Sequence, residues 1–286
     1  MAGSAPAVSS PGVAPTVSTT PTYDGNAAVT MTDGTVKLSD VNVYADSGID
    51  CAGSYADCTV SGTNFSNSFY DDAAGGSPLR SFSNGDGVNE NQDFTTVNTQ
   101  LTAVKNFIAG LTGGDITGTI STTSGDVLTD TTVNLSSGLN ILTFDTTSDI
   151  TVKANLIFQG MADAFAIVLV QDGQNFGTSQ GNLVIGDDGI GLNNVLIVAN
   201  DGSQSQIDIS NTIVNGVALW DLSGGDSNLS VDNMTGCTQL VGSDVDIQNV
   251  RLSRCGFDVS VIPVPGAAWL FGSALGLLGW VRARRA

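Results

Sequence analysis

The chain has 286 residues and a formal net charge of -19, from 9 basic and 28 acidic residues. This length allows one large or two small domains, and the acidic balance argues against binding of nucleic acid or anionic lipid through the surface. The sequence contains no histidine. That absence excludes a Ser/His/Asp or Cys/His nucleophile and removes the commonest general base and transition-metal ligand.

Residues 1–25 are rich in Ala, Pro, Ser and Thr, which predicts a flexible or polyproline-like tail. A strand donated to a neighbouring subunit is the alternative, but the segment lacks the alternation that a strand would need. It also lacks the charged and apolar regions of a signal peptide. We therefore expect that the true start lies upstream or that a signal was removed or replaced.

The segment 26–260 is predicted to be a β-rich extracellular domain. Its first part carries three weak strand patterns, at residues 28–31, 35–38 and 41–44. Residues 83–93 hold the densest set of oxygen ligands, with Asp86, Glu90 and Asp93 as candidate calcium ligands. Their spacing is not that of an EF-hand, so a solvated loop that caps the next helix is the favoured interpretation.

The four cysteines allow three pairings. We favour Cys51–Cys58 and Cys237–Cys255, because each pair closes a loop within one segment. Zinc binding is disfavoured, since the sequence has neither a C-x-x-C pair nor a histidine. Disulfides in turn predict an oxidising compartment.

The spacing of apolar residues predicts an amphipathic helix at about 94–111. Steps of three and four place one stripe on a single face, which must pack against another element: Phe94, Val97, Leu101, Val104, Ile108 and Leu111. Asn91 or Asp93 can cap its start, and Gly110 or the Gly113–Gly114 pair can end it.

From 115 to 258 the pattern changes to short apolar bursts separated by Gly, Asn, Asp and Ser. Many short strands with turn residues between them indicate a sandwich, a barrel or a solenoid. We predict a mainly β fold, a right-handed β-solenoid-like body on which the helix packs, because the later bursts alternate as strands with one inward face would. A β-sandwich such as a jelly roll is the alternative.

No catalytic constellation is visible, and we predict that the chain is not an enzyme. Paired carboxylates on a solenoid face would suit a glycoside hydrolase or lyase, for which Asp187, Asp188 and Asp208 are candidates by residue type. Ice binding would need a regular ladder of threonines. The threonines form two local groups instead, Thr117, Thr119, Thr122 and Thr123, then Thr129, Thr131 and Thr132. The preference of threonine for β-strands explains these groups more simply.

The last segment, 261–286, has three parts in a fixed order. A turn at Pro263, Val264 and Pro265 precedes an uncharged apolar run over residues 266–281. The run is short for a membrane helix, but including residues 261–264 brings it into the range of about 17–25 residues that a span needs. Arginines follow, on the side expected to stay cytoplasmic: Arg282, Arg284 and Arg285.

This arrangement resembles a PEP-CTERM sorting signal, in which a Pro-x-Pro motif, an apolar helix and an Arg cluster occur in this order. The departure is Val264, where the family has Glu. The resemblance implies export, transient insertion in the inner membrane of a Gram-negative bacterium, and processing by an exosortase. The mature protein would then reside at the cell surface or in the extracellular matrix of a biofilm.

The body resembles the choice-of-anchor A type of bacterial surface domain, through the Asp93–Phe94 helix start and the strand region 192–200. Ice-binding-type β-solenoids share the same layout of a helix and a solenoid. These resemblances imply a structural or adhesive role, with extracellular polysaccharide as a candidate partner and self-association left open. A carbohydrate-active enzyme and a filament-forming or ice-binding protein are the alternatives.

Overall fold

The computed structural model describes residues 103–253 except 172, 187–188, 193, 200–204, 223–227 and 243, together with the backbone of nine strands before residue 83. At residues 228, 244 and 253 it likewise describes backbone alone. The strands are β1 Thr16–Ser18, β2 Val29–Thr32, β3 Thr35–Ser39, β4 Val43–Ala45, β5 Ile49–Cys51, β6 Asp57–Val60, β7 Asn64–Ser66, β8 Phe69–Tyr70, β9 Ser81–Phe82, β10 Gly118–Ile120, β11 Asp126–Val127, β12 Thr131–Asn134, β13 Gly138–Phe144, β14 Ile150–Val152, β15 Leu156–Gln159, β16 Ala164–Val170, β17 Phe176–Ser179, β18 Leu183–Ile185, β19 Val195–Ala199, β20 Ile207–Asn215, β21 Val217–Asp221, β22 Asn228–Cys237, β23 Leu240–Gly242, β24 Asp244–Gln248 and β25 Arg251–Ser253.

All pairs among these strands are parallel, and each strand lies beside its counterpart from another turn of the chain. The chain is therefore mainly β and forms a β-solenoid, as predicted. The sandwich alternative is wrong, because no hairpin or antiparallel strand pair joins the described strands. Right-handed winding stays a prediction from the general handedness of parallel crossovers.

The solenoid has three faces, and one turn of the chain contributes one level to each. Face A is a nine-stranded sheet in the order β10, β13, β16, β19, β21, β23, β1, β4, β7. Face B runs β11, β14, β17, β20, β22, β24, β2, β5, β8, and face C runs β12, β15, β18, β20, β22, β25, β3, β6, β9. Level 1 contains β10–β12, level 6 contains β23–β25, and level 9 contains β7–β9.

Strands β20 and β22 belong to both faces B and C because each bends at one asparagine. Asn211 and Asn233 have φ angles of 50° and 49°, the left-handed conformation that asparagine tolerates better than most residues. Asn249 has the same φ of 49° between β24 and β25. The three asparagines thus form the corner between the two faces in levels 4 to 6.

The N-terminal strands continue the stack above the C-terminal ones. Strands β1, β2 and β3 pair with β23, β24 and β25, so level 7 comes from the beginning of the chain and level 6 from its end. Strand β1, Thr16–Ser18, lies inside the segment predicted as a tail. That part of the segment belongs to a sheet, because its backbone pairs on both sides, with β23 and with β4.

The interior is filled by one row of apolar side chains from each face. The largest fully buried ones include Phe144, Phe158 and Phe176. The rings of Phe144 and Phe176 lie 5.8 Å apart at 36°, a tilted contact across the interior. Parallel stacking places equivalent residues of successive turns above one another, and so one inward apolar residue per level extends a continuous core.

The helix α1 includes residues 103–109 and ends at Gly110, one of the two predicted ends. The Gly110 N–H donates to the carbonyls of Asn106 and Phe107, at 3.1 Å each. Val104 and Ile108 of the predicted stripe are buried. The predicted start at residue 94 lies outside the described residues. The described helix is therefore a minor element.

Face A is buried on its outer side as well as on its inner side. Its outward residues are apolar and nearly inaccessible, but they are not part of the interior cluster: Ile141, Ile167, Leu196, Val198, Ala218 and Trp220. The buried stripe of α1 is likewise apolar and outside that cluster. Both observations agree with the predicted packing of the helix on the solenoid body.

Corner residues join neighbouring levels through side-chain carboxylate or amide oxygens. Between faces A and B, the Asn175 N–H donates to Asp149 Oδ1 at 2.9 Å, and the Gln206 N–H donates to Asn175 Oδ1 at 3.0 Å. Between faces B and C, the Ile213 N–H donates to Asn182 Oδ1 at 2.9 Å. These bonds supply acceptors for backbone N–H groups at and beside the corners that do not bond to a backbone carbonyl of the sheet.

Across the part of the chain that the structure describes, no helix is long and apolar enough to cross a membrane. The helix predicted over residues 266–281 lies outside that part.

Candidate functional site

The strand register aligns a column of acidic and hydroxyl-bearing residues along face B, and Asp208 in this column is exposed. In register, from level 1 to level 9, the column contains Asp126, Thr151, Gly177, Asp208, Ser230, Asp246, Thr30, Asp50 and Tyr70. The neighbouring residues in the strands are inward and buried, for example Ile207 and Ile209 on either side of Asp208. The alternation of β20 therefore fixes Asp208 on the outer surface.

The carboxylates of this column are separated by neutral residues. From level 4 to level 8 an aspartate occupies every second level, at Asp208, Asp246 and Asp50, with Ser230 and Thr30 between them. Neighbouring levels lie about 4.8 Å apart, so like charges in the column are about 10 Å apart. We call this set the acidic column of face B.

Asp232 occupies a second column, two residues further along the strand. Its register neighbours are Ser210 below and Gln248 above. Asp208 and Asp232 are thus diagonal neighbours on adjacent levels. Burial by the surrounding levels, and second the negative charge of Asp232, raise the pKa of Asp208, although part of its side chain stays exposed.

Replacing Asp208 with Asn should raise thermal stability at neutral pH. A folded-state pKa above the unfolded value of about 3.9 means that ionisation of Asp208 costs stability. The stability of wild type should therefore fall as the pH rises from below about 3.9 through the raised pKa of Asp208. The variant Asp208→Asn has no carboxyl group at this position and should not show this decrease. Because the group is exposed, we expect a gain of about 1 °C in the thermal midpoint.

Calorimetry between pH 3 and pH 7 tests this expectation. Asp163→Asn is the matched control, since it removes the same charge from an exposed corner residue. A variant Asp208→Asn that is less stable than wild type at pH 7 would contradict the proposed repulsion.

Lys153 neutralises the lowest aspartate of the acidic column. Its Nζ lies 2.6 Å from Asp126 Oδ2, between levels 1 and 2, and the Lys153 side chain is 44% exposed. No other ion pair joins two described residues. The ion pair therefore compensates the carboxylate at the lower end of the acidic column.

Of the site residues predicted from the sequence, some are described in the structure and others are not. Asp208 lies on face B, whereas Asp187 and Asp188 lie outside the described residues, as do Asp86, Glu90 and Asp93. So do all the residues of the sorting motif: Pro263, Val264, Pro265, Arg282, Arg284 and Arg285. Among described residues no group of three His, Cys, Asp or Glu side chains could hold a metal ion.

Cys237 is disulfide-bonded. The side chains of the other three cysteines are not described, so the pairing with Cys255 stays a prediction. Cys51 and Cys58 lie in β5 and β6, and their pairing likewise stays a prediction.

The threonines considered for ice binding do not share a face. Thr119 lies in β10 on face A, Thr122 and Thr123 lie in the turn after it, and Thr131 and Thr132 lie in β12 on face C. They form no ladder across levels. The outward face with the most regular column is face B, and its repeated side chain is a carboxylate.

Sequence reasoning missed Asp232 and Asp246 as neighbours of Asp208. The signal that could have found them is the repeated alternation Ile-Asp-Ile, Leu-Ser-Val-Asp and Val-Asp-Ile in successive bursts. Aligning the inward apolar residues of those bursts aligns the outward ones as well. The result is a surface that can attract cations and accept hydrogen bonds over several levels.

The pairing and the outward columns define a three-faced parallel β-solenoid with one acidic face. No protein-family model matches the chain. No curated protein matches it either.

Solved structures with a similar arrangement include two ice-binding proteins. One, from an Antarctic bacterium of the Flavobacteriaceae, has 15% identity and a TM-score of 0.41, covering 80% of this chain and 45% of that protein. The other, LeIBP from an Arctic yeast, has 13% identity and a TM-score of 0.43, covering 80% of this chain and 91% of that protein. This chain therefore spans less than half of the length of the Flavobacteriaceae protein.

Proposed function

We propose that this chain is an exported, non-enzymatic surface or extracellular-matrix protein of a Gram-negative bacterium. The observation that carries the proposal is the C-terminal sequence, with its Pro-Val-Pro turn, apolar run and terminal arginines. The proposed route is transient insertion in the inner membrane, cleavage by an exosortase, and release or anchoring of the solenoid outside the cell.

The described body supports this proposal in two ways. Cys237 is oxidised, which suits a compartment outside the cytoplasm. The stacked levels bury an extended core while the outward residues of face B are largely polar, as suits a protein that stays folded outside the cell. The role proposed for the body is therefore structural or adhesive.

Intact mass of the secreted protein tests the route. In a host with an exosortase, the mature chain should end near residues 263–266. A variant with Arg282, Arg284 and Arg285 all changed to Ala should keep its C-terminal segment and remain with the membrane fraction. Retention of Trp269 to Arg285 in the secreted wild-type protein would contradict the processing step.

A carbohydrate-active enzyme is the second candidate, because Asp208 and Asp232 stand diagonally on one face and the pKa of Asp208 is raised. Diagonal neighbours lie about 7–8 Å apart, within the range of paired carboxylates in inverting glycosidases. New reducing ends from extracellular polysaccharide, lost in Asp208→Asn, would favour this candidate over the structural role.

Ice binding is the third candidate carried over from the sequence. A column of carboxylates on face B suits it less well than a threonine ladder would. Thermal hysteresis of the purified protein distinguishes it from both other candidates.

A further inference from the structure

A column of hydroxyl-bearing and cationic residues crosses face C at the junction of the two ends of the chain. In register from level 5 to level 9 it contains Thr235, Arg251, Lys37, Thr59 and Ser81, which we call the cationic column. Thr235 and Arg251 are exposed. Arg251 forms no ion pair with another described residue.

Arg251 and Lys37 are direct register neighbours, on levels 6 and 7. Like charges at directly opposed positions of neighbouring strands destabilise a sheet. The acidic column of face B avoids this cost by placing a neutral residue between aspartates, whereas the cationic column does not. The chain has only 9 basic residues against 28 acidic ones, so the adjacency of two of them is a local exception.

The acidic residue nearest to this pair by register is Asp57. By register, Asp57 lies opposite Thr35, which makes it a diagonal neighbour of Lys37 and places it two levels from Arg251. The direct neighbours of Arg251 in the column are Thr235 and Lys37. No acidic residue lies directly or diagonally beside Arg251 in the register of β22 and β3, so the positive charge of the column is concentrated at Arg251.

We infer that the cationic column binds an anionic polysaccharide whose chain runs along the stack of levels. This inference rests on the proposed extracellular function. A guanidinium group binds carboxylate or sulfate through two parallel hydrogen bonds, and flanking hydroxyl groups bond to sugar hydroxyls. Four level steps separate Thr235 from Ser81, or about 19 Å, a strip that suits a linear polymer better than a small anion.

The charge of the whole chain selects the class of polymer. Double-stranded DNA carries one charge about every 1.7 Å, and a protein with net charge -19 would repel it strongly outside the column. A polyuronate has at most one carboxylate per sugar. It can place a few charges on Arg251 and Lys37 and still expose mostly neutral groups to the rest of the surface.

Binding of the full chain to polygalacturonate at low ionic strength tests the inference, with dextran as the uncharged probe. Arg251→Gln should weaken binding by about tenfold, and the double variant Arg251→Gln/Lys37→Gln should abolish it. Lys153→Gln, which removes the same charge at a corner between faces B and C, should leave binding within about twofold of wild type. Added salt should weaken wild-type binding, because Arg251 is exposed.

Three outcomes would overturn the inference: no binding of wild type to polygalacturonate, equal weakening by Lys153→Gln, or equally tight binding to single-stranded DNA. Folding of the variants is checked by their thermal midpoints, which should rise slightly because a repulsion is removed. The test is independent of the processing experiment. A secreted, cleaved protein that ignores polygalacturonate disproves this inference alone, and an unprocessed protein that binds it disproves the proposed route alone.

Discussion

Replacing Phe176 with Ala is expected to lower the free energy of unfolding by about 3–5 kcal/mol. Phe176 is fully buried in β17, with Ile150 below it and Ile207 above it in register. Its ring also contacts that of Phe144 across the interior. Because parallel strands fix the positions of all three neighbours, the levels cannot move together to fill the space, and a cavity should remain.

Urea unfolding monitored by circular dichroism measures this loss. Met161→Ala is the matched control, because Met161 is 70% exposed at a corner, and its replacement should change stability by less than about 0.5 kcal/mol. Equal effects of the two substitutions would mean that the interior row of face B does not determine the stability of the stack.

The solenoid could be predicted from sequence because its repeats have a local signature. Bursts such as residues 140–144, 165–170 and 194–198 correspond to β13, β16 and β19 within one or two residues. Asparagine or glutamine directly before several bursts has a physical reason as well. At the corner residue Asn182, which directly precedes β18, the side-chain carbonyl accepts a hydrogen bond from the Ile213 N–H of the next level.

The order of the levels could not be predicted, because it depends on pairing between distant parts of the chain. Nothing in the sequence of β1 distinguishes a strand that pairs with its neighbour in the chain from one that also pairs with β23. The same holds for the two columns of faces B and C. Asp208 and Asp232 are 24 positions apart in the sequence numbering and become neighbours only through the register of β20 and β22.

The need for glycine at position 236 follows from the strand register and could not be predicted from the sequence. Gly236 interrupts the inward row of face C between Val214 and Leu252. Its φ is 123°, and a Cβ there would lie 2.1 Å from the Val214 carbonyl oxygen. The sequence shows a glycine in a strand, but only the register shows that the backbone of the level below excludes any side chain.

Deleting residues 1–82 is expected to abolish cooperative folding of the remaining chain. The deletion removes levels 7 to 9 and leaves the edges of β23, β24 and β25 without their partners. It also uncovers level 6, whose inward side chains are 0–3% exposed in the intact stack: Leu240, Val245, Ile247 and Leu252. Complete burial of one such side chain contributes about 1.5–3 kcal/mol, so partial exposure of all four removes a large share of the stability of a domain, about 5–15 kcal/mol.

The truncated chain should aggregate or bind a hydrophobic dye, and its urea transition should lose its steepness. Deletion of residues 1–12 alone is the matched control, because it leaves β1 and every described pairing in place and should preserve the wild-type transition. A truncated chain that unfolds with the wild-type midpoint and slope would show that level 6 is a stable end by itself. In that case the N-terminal levels would be an appended unit, and the stack that begins at β10 would end at β25 as an independent solenoid.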